Sequence, residues 1–287
     1  MTAPRVDPHA ASERTFAGLS LSSPRIMGVV NVTPDSFSDG GEALEPGAAV
    51  ARGRDLADAG ADIVDVGGES TRPGSTPVPE AVELARILPV VRDLARDGIR
   101  VSVDTRHARV MAAALDAGAT IINDVTALTG DADALAMIAG TGAAVVLMHM
   151  QGDPGTMQDD PRYDDVVADV KAWLAQRVAA CRVAGIGPDR IALDPGIGFG
   201  KTVEHNVRLL AELDAFRELG CAVAVGVSRK SFIARLSRGE AVKQRLGGSI
   251  AAGLWAVAEG ADILRVHDVA ATRQALEVWR AIADKRR

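Results

Sequence analysis

The chain has 287 residues, 47% of them hydrophobic but only 3% aromatic, so its core is built from aliphatic side chains. Lys and Arg total 32 against 38 Asp and Glu, a net charge of −6, which excludes the basic face that a nucleic-acid binder needs to displace counterions. The two cysteines, Cys181 and Cys221, lie far apart without a C-x-x-C spacing, so neither a disulfide framework nor a zinc knuckle follows. The first residues, MTAPRVDPHAASERTF, lack the basic and then apolar pattern of a secretory leader. No segment approaches the roughly 18 consecutive apolar residues of a membrane span. The expectation is a soluble cytoplasmic protein with no nucleic-acid and no membrane partner.

In chain order, a polar N-terminal tail over residues 1–22 precedes one domain over 23–287. That domain alternates short β-branched runs with longer helix-period stretches. The first strand is expected over Arg25–Val32 and its helix over Gly47–Ala59. Ala61–Gly68 and Pro79–Arg96 form the second pair, Arg100–Thr105 and Arg106–Ala117 the third, Thr120–Val125 and Asp133–Gly140 the fourth. Ala143–Met150 leads into Asp164–Ala184, Arg190–Gly196 into Val203–Leu219, Cys221–Ser228 into Gln244–Glu259, and Asp262–Val269 into Ala270–Lys285. Most of these strands are continuously apolar, as strands buried on both faces of a parallel sheet are. Gly60, Gly118, Gly142, Gly220 and Gly260 stand where a left-handed residue stops a helix. Barrels commonly run roughly 200–250 residues as one domain, and eight βα units without a composition break favour a closed (β/α)8 barrel over an open doubly wound sheet.

Polar residues gather at the C-terminal ends of these apolar strands: Asn31, Asp65, Asp104, Asn123, Asp124, His149, Asp194, Ser228 to Lys230, Arg265, His267 and Asp268. In a barrel these ends converge on one mouth, where active sites of this architecture lie.

DPGIGFGKT, Asp194–Thr202, superficially matches a phosphate loop, but Pro195 stands where that loop needs its first Gly. What survives is a carboxylate on a Gly-rich turn with Phe199 at its tip, a shape suited to a flat ring with a polar edge. In SRKSF, Ser228–Phe232, a lysine could form a Schiff base; carboxylates at the same mouth would instead hold Lys230 as an ammonium. Ser231 then opens a helix, where N–H groups favour an anion. Arg265 and His267 sit beside Asn31 once a barrel closes, and their donors suit a phosphate. Taken alone, Arg-x-His is more often a surface ion-pair element. GESTRPGS, Gly68–Ser75, and NVTPDSFSDGG, Asn31–Gly41, read as lid loops over the mouth. The five histidines, His9, His107, His149, His205 and His267, form no H-E-x-x-H, so Mg2+ arriving with substrate phosphates is favoured over zinc. His149 reads as partly structural.

Taken together, GVVNVTPDSFSDGG, DVGGESTRPGS, SVDT, INDV, LMHMQG, DPGIGFGKT, GVSRKSF and ILRVHDV resemble the dihydropteroate synthases, a family of pterin-binding enzymes, in that family's order from Arg25 to the eighth strand. The resemblance implies a (β/α)8 barrel, a homodimer, and a folate-pathway transferase. Its reaction would join p-aminobenzoate to (7,8-dihydropterin-6-yl)methyl diphosphate, with Mg2+ assisting. It implies that Asp104, Asn123, Asp194 and Lys230 hold the pterin, with Met148, Gly226 and Phe199 packed around it. Asn31, Arg265 and His267 would hold the diphosphate, with Asn31 also the metal-linked position. Thr71, Arg72, Pro73, Phe199 and Ser231 would line the p-aminobenzoate site, where sulfonamides would compete. Two alternatives are a methyltetrahydrofolate-dependent corrinoid methyltransferase and a non-catalytic pterin-binding paralogue. The first would share the Asp104, Asn123 and Asp194 grip but would not need SRKSF or STRPG; turnover separates the second.

Overall fold

The computed structural model describes residues 14–33, 45–70, 75 and 77–286. Among these, the chain begins with β1 (Thr15–Phe16), β2 (Leu19–Ser20) and β3 (Arg25–Asn31). Helices and strands then alternate: α1 (Pro46–Asp58), β4 (Ile63–Gly67), α2 (Glu80–Arg96), β5 (Val101–Asp104), α3 (Ala108–Asp116), β6 (Ile121–Asp124), α4 (Ala134–Ala139) and β7 (Ala144–Met148). The second half runs α5 (Val166–Val183), β8 (Ile191–Asp194), α6 (Val203–Ala211), β9 (Ala222–Val225), α7 (Ser231–Leu236), α8 (Leu246–Ala258), β10 (Ile263–Val266) and α9 (Val269–Ala283).

Strands β3 to β10 are all parallel and close into a barrel, β10 pairing with both β9 and β3. Each of the eight expected strands is present, because strands this apolar bury both faces at once, one into the barrel and one under the helices. That helix-facing layer is the main core, rich in Val, Ile and Leu from Ile26 to Leu276. The barrel lining is a second cluster that includes four alanines, Ala144, Ala192, Ala222 and Ala224, beside larger side chains.

Those alanines leave room at the floor, and the end of the expected tail fills it. Strands β1 and β2 form an antiparallel hairpin that drives Phe16, fully buried, in among Met27, Ile63, Ile121 and Ile263. Arg14 secures the hairpin by donating to both Asp262 carboxylate oxygens and to the Cys221 carbonyl. A tail boundary at residue 22 therefore falls too late: the plug begins by Arg14, and polar composition hides it because a single aromatic does the burying.

Four of the five expected helix-stop glycines adopt positive φ: Gly60, Gly118, Gly220 and Gly260. Gly142 does not; α4 instead ends at Gly140 in a right-handed conformation. The stretch expected as one helix over Val203–Leu219 divides at Glu212 into α6 and a 3-10 segment over Leu213–Leu219. Cys181 and Cys221 are both buried free thiols.

Candidate active site

Barrel register builds the site. Asn31 pairs with Gly67, Gly67 with Asp104, and Asp104 with Asn123, so three functional side chains stand in one row at the C-terminal rim. On the opposite side Met148 pairs with Asp194. Because strand ends alone supply these groups, their spacing is fixed by the sheet rather than by loops.

One arginine ties the row together. Arg265 donates from Nε to Asp65 Oδ2 at 2.7 Å and from Nη2 to Asp104 Oδ2 at 2.9 Å. Asn123 Nδ2 donates to the same Asp65 oxygen at 3.2 Å. Asp65 is wholly buried, and its second oxygen accepts no hydrogen bond. Burial pushes the Asp104 carboxyl up to about 7, against the pull of the Arg265 guanidinium. The neighbouring carboxylates hold the Arg265 guanidinium above its ordinary value despite the opposing effect of burial.

Facing this network, the 194–201 turn carries Asp194, whose Oδ1 accepts from the Gly196 amide at 2.7 Å. Burial raises this carboxyl, with Lys230 the main opposing influence. Gly196 has φ +72°, and a Cβ there would lie 1.8 Å from the His149 carbonyl oxygen; only glycine lets the turn lie this close to β7. Lys230, just before α7, donates to the Ile197 carbonyl and sits 4.7 Å from the Phe199 ring centroid. Burial lowers its ammonium to about 8, with Asp194 holding the proton on and Arg265 acting against it. A cation poised over an aromatic face beside a buried carboxylate can meet a heteroaromatic ring on its edge and its face together.

His267 receives support from Ser228, whose Oγ accepts from the His267 amide and lies 3.2 Å from His267 Nδ1. Arg229 holds a left-handed φ of 60° and forks onto both oxygens of Asp268, which fixes the backbone beside Lys230. Ser231 is exposed at the first position of α7. Gly226 leaves space beside Lys230 Nζ and the Arg265 side chain, which a Cβ there would meet at 3.6 and 3.8 Å.

Asn31, Asp104, Asn123, Met148, Asp194, Phe199, Gly226, Lys230, Arg265 and His267 therefore share the strand-end face. Asp124 does not join the site: its two oxygens accept from the Thr126 amide and hydroxyl and from the Leu128 amide, stapling its own loop. Thr71, Arg72 and Pro73 lie outside the described residues, as do Phe37 and the Asp35–Asp39 stretch of the first lid.

Sequence reasoning assigns no role to two contributors. Asp65 carries a strand-end carboxylate, a signal visible in DVGG, yet no role attaches to it from the sequence. Lys201 is only 2% exposed and holds the turn from beneath, with Nζ 2.9 Å from the Phe199 carbonyl and 3.1 Å from His149 Nδ1. Burial, and next to it the Lys201 charge, lowers His149 to about 3, so this histidine is neutral and serves structure.

The family model for pterin binding enzymes matches residues 27–267. A dihydropteroate synthase of Neisseria meningitidis serogroup C is 48% identical over 269 residues, covering 92% of this chain and 94% of the relative. Among solved structures, Xanthomonas albilineans dihydropteroate synthase with 4-aminobenzoic acid superposes with a TM-score of 0.86 at 52% identity, covering 92% of this chain and 95% of that one. The same organism's enzyme in complex with 7,8-dihydropteroate gives a TM-score of 0.81 at 46% identity, with the same two coverages.

Proposed function

The chain belongs to the pterin binding enzyme family, and from that premise we propose that it is a dihydropteroate synthase. It joins p-aminobenzoate to (7,8-dihydropterin-6-yl)methyl diphosphate, giving 7,8-dihydropteroate and diphosphate. The observation that carries the reading is the buried Asp194 opposite Lys230, across from the Asp104 and Asn123 row. A pterin edge offers an amino group and a ring N–H to a carboxylate in a paired contact, and a ring oxygen and nitrogen to an ammonium.

In the reaction the C–O bond to diphosphate breaks and the arylamine nitrogen then forms a bond to the exocyclic methylene carbon. The dihydropterin delocalises positive charge at that carbon, so the path is dissociative and needs no covalent enzyme intermediate. The departing diphosphate takes the electron pair, and the arylammonium proton passes to solvent. Asn31, Arg265 and His267 stabilise the leaving group without proton transfer, by fixed donors rather than nucleophilic attack. Phe199, Pro73, Thr71, Arg72 and Ser231 orient p-aminobenzoate, whose weak basicity makes alignment matter more than a general base.

Mg2+ fits the donor chemistry on one side of the rim. Asn31 Oδ1 is a hard oxygen donor that stands beside Gly67 and near Asp104 on this rim. Asn31 would hold the ion, which when bound neutralises charge on the diphosphate.

We place the protein in the cytoplasm as a homodimer. None of the helices is long and apolar enough to cross a membrane, among the described residues. Exposed Leu236, Leu246 and Trp255 on α7 and α8 supply apolar surface for a second copy.

Diphosphate release measured with both substrates and Mg2+, then with either substrate omitted, tests the assignment. Release must require p-aminobenzoate; release without it would mean hydrolysis and not transfer.

A further inference from the structure

Outside the pterin site, the outer rim between α2 and α3 holds a second polar cluster. Glu69 follows β4, Glu83 lies in the first turn of α2, and His107 immediately precedes α3. One donor atom from each lies within 4.8 Å of the others.

Glu83 is the unusual member. It is wholly buried. Its Oε2 meets His107 Nδ1 at 3.0 Å, the Thr105 side chain also hydrogen-bonds this carboxyl group, and Oε1 is sealed from solvent with no donor in hydrogen-bond geometry. A buried carboxylate oxygen without a donor is unfavourable, and a bound cation would answer it. The nearby arginines are engaged: Arg106 Nη2 with Glu69 Oε1 at 3.1 Å, and Arg86 Nη1 with the Gly68 carbonyl at 2.8 Å. His107 reaches one Glu83 oxygen, which leaves the other unanswered.

We propose that Glu69, Glu83 and His107 form a binding site for one divalent transition-metal cation of the zinc class, separate from the diphosphate-bound Mg2+. Two carboxylates and one imidazole favour such an ion over Mg2+, which prefers an all-oxygen shell. Water completes the coordination, since the His107 side chain is 22% exposed and opens the cluster to solvent. The ion would clamp the loop after β4 to the starts of α2 and α3, adjacent in sequence to Arg106 and within one turn of Asp104. That clamp steadies the strand-end row from outside without touching substrate.

The test is calorimetric titration of Zn2+ into the full chain, with excess Mg2+ and no substrate, so that its outcome is independent of the proposed reaction. One saturable equivalent is expected, weakened at least about tenfold in each of Glu69→Gln, Glu83→Gln and His107→Phe, and unchanged in Asn31→Ala. Zinc-edge X-ray absorption on the unmutated protein should show one imidazole, oxygen ligands and no sulfur. If Glu83→Gln fails to fold, the Glu69→Gln titration and the absorption spectrum decide. No saturable binding, affinity unchanged by the Glu69 and His107 substitutions, or sulfur in the shell would overturn the site.

Discussion

Replacing Arg265 with Met would remove the one cation shared by two buried carboxylates. Its guanidinium makes two charge-assisted hydrogen bonds, at 2.7 and 2.9 Å, to side chains that are 0% and 9% exposed. Leaving a buried charge unpaired costs about 3–5 kcal/mol. The Arg265 side chain itself is 24% exposed, so water reaches the gap and the lower end, about 3 kcal/mol, applies. For a barrel this size that is a melting shift of roughly 6–12 °C. The loss must also depend on pH. Asp104 titrates near 7 in the folded state, above about 3.9 for an unfolded aspartate. Its favourable contribution is therefore complete below the unfolded value and is lost as pH rises through 7. Without Arg265 the folded value climbs further, so that loss continues to higher pH. At pH 6 Asp104 is protonated in both proteins and only the Asp65 partner is missed; at pH 8.5 both are. Calorimetric melts of the two proteins at pH 6 and 8.5 should thus show the gap widening at the higher pH, with Arg265→Lys recovering part of it. A shift below about 3 °C at pH 8.5, or equal shifts at both values, would refute the reasoning.

Asp194→Ala and Lys230→Ala should each weaken binding of the pterin substrate by roughly 10- to 100-fold, the worth of one charged hydrogen bond; unchanged titrations would remove that residue from the ring site. Because Lys230 loses its proton near 8, KM for the pterin substrate should rise above that pH, and Lys230→Arg should flatten the rise in a steady-state pH profile. Phe16→Ala should cost about 3–5 kcal/mol in urea unfolding by emptying the barrel floor, and a change under about 1 kcal/mol would mean the hairpin is not a plug. A sulfonamide should inhibit competitively against p-aminobenzoate; inhibition competitive only with the pterin substrate would misplace that site.

The eight barrel strands are legible because runs such as AAVVLMHM, Ala143–Met150, carry their own burial signal on both faces, and Ala144–Met148 of that run forms β7. The register that lines up Asn31, Asp104 and Asn123 then follows from closure of the barrel. The Asp194 turn is legible too, since glycines around a lone Phe199 leave few other uses. Other features depend on partners distant in sequence and carry no local pattern. Phe16 sits beside a turn between two strands of only two residues each, too short for periodicity to register, and its pocket exists only because Ala144, Ala192, Ala222 and Ala224 face inward. Arg265 reads as an anion donor, but its position 200 residues from Asp65 hides the carboxylates that engage it. Lys201 looks like an exposed loop lysine; its burial follows from His149 and the Phe199 carbonyl closing over it.

The most direct test of the central claim is the 7,8-dihydropteroate formed by the purified full chain, quantified by mass spectrometry against diphosphate released, alongside Asp194→Asn. The account predicts one product per diphosphate in the unmutated protein and a loss of at least about tenfold in the variant at subsaturating pterin substrate. Diphosphate release without the coupled product, or equal turnover in both proteins, would contradict it.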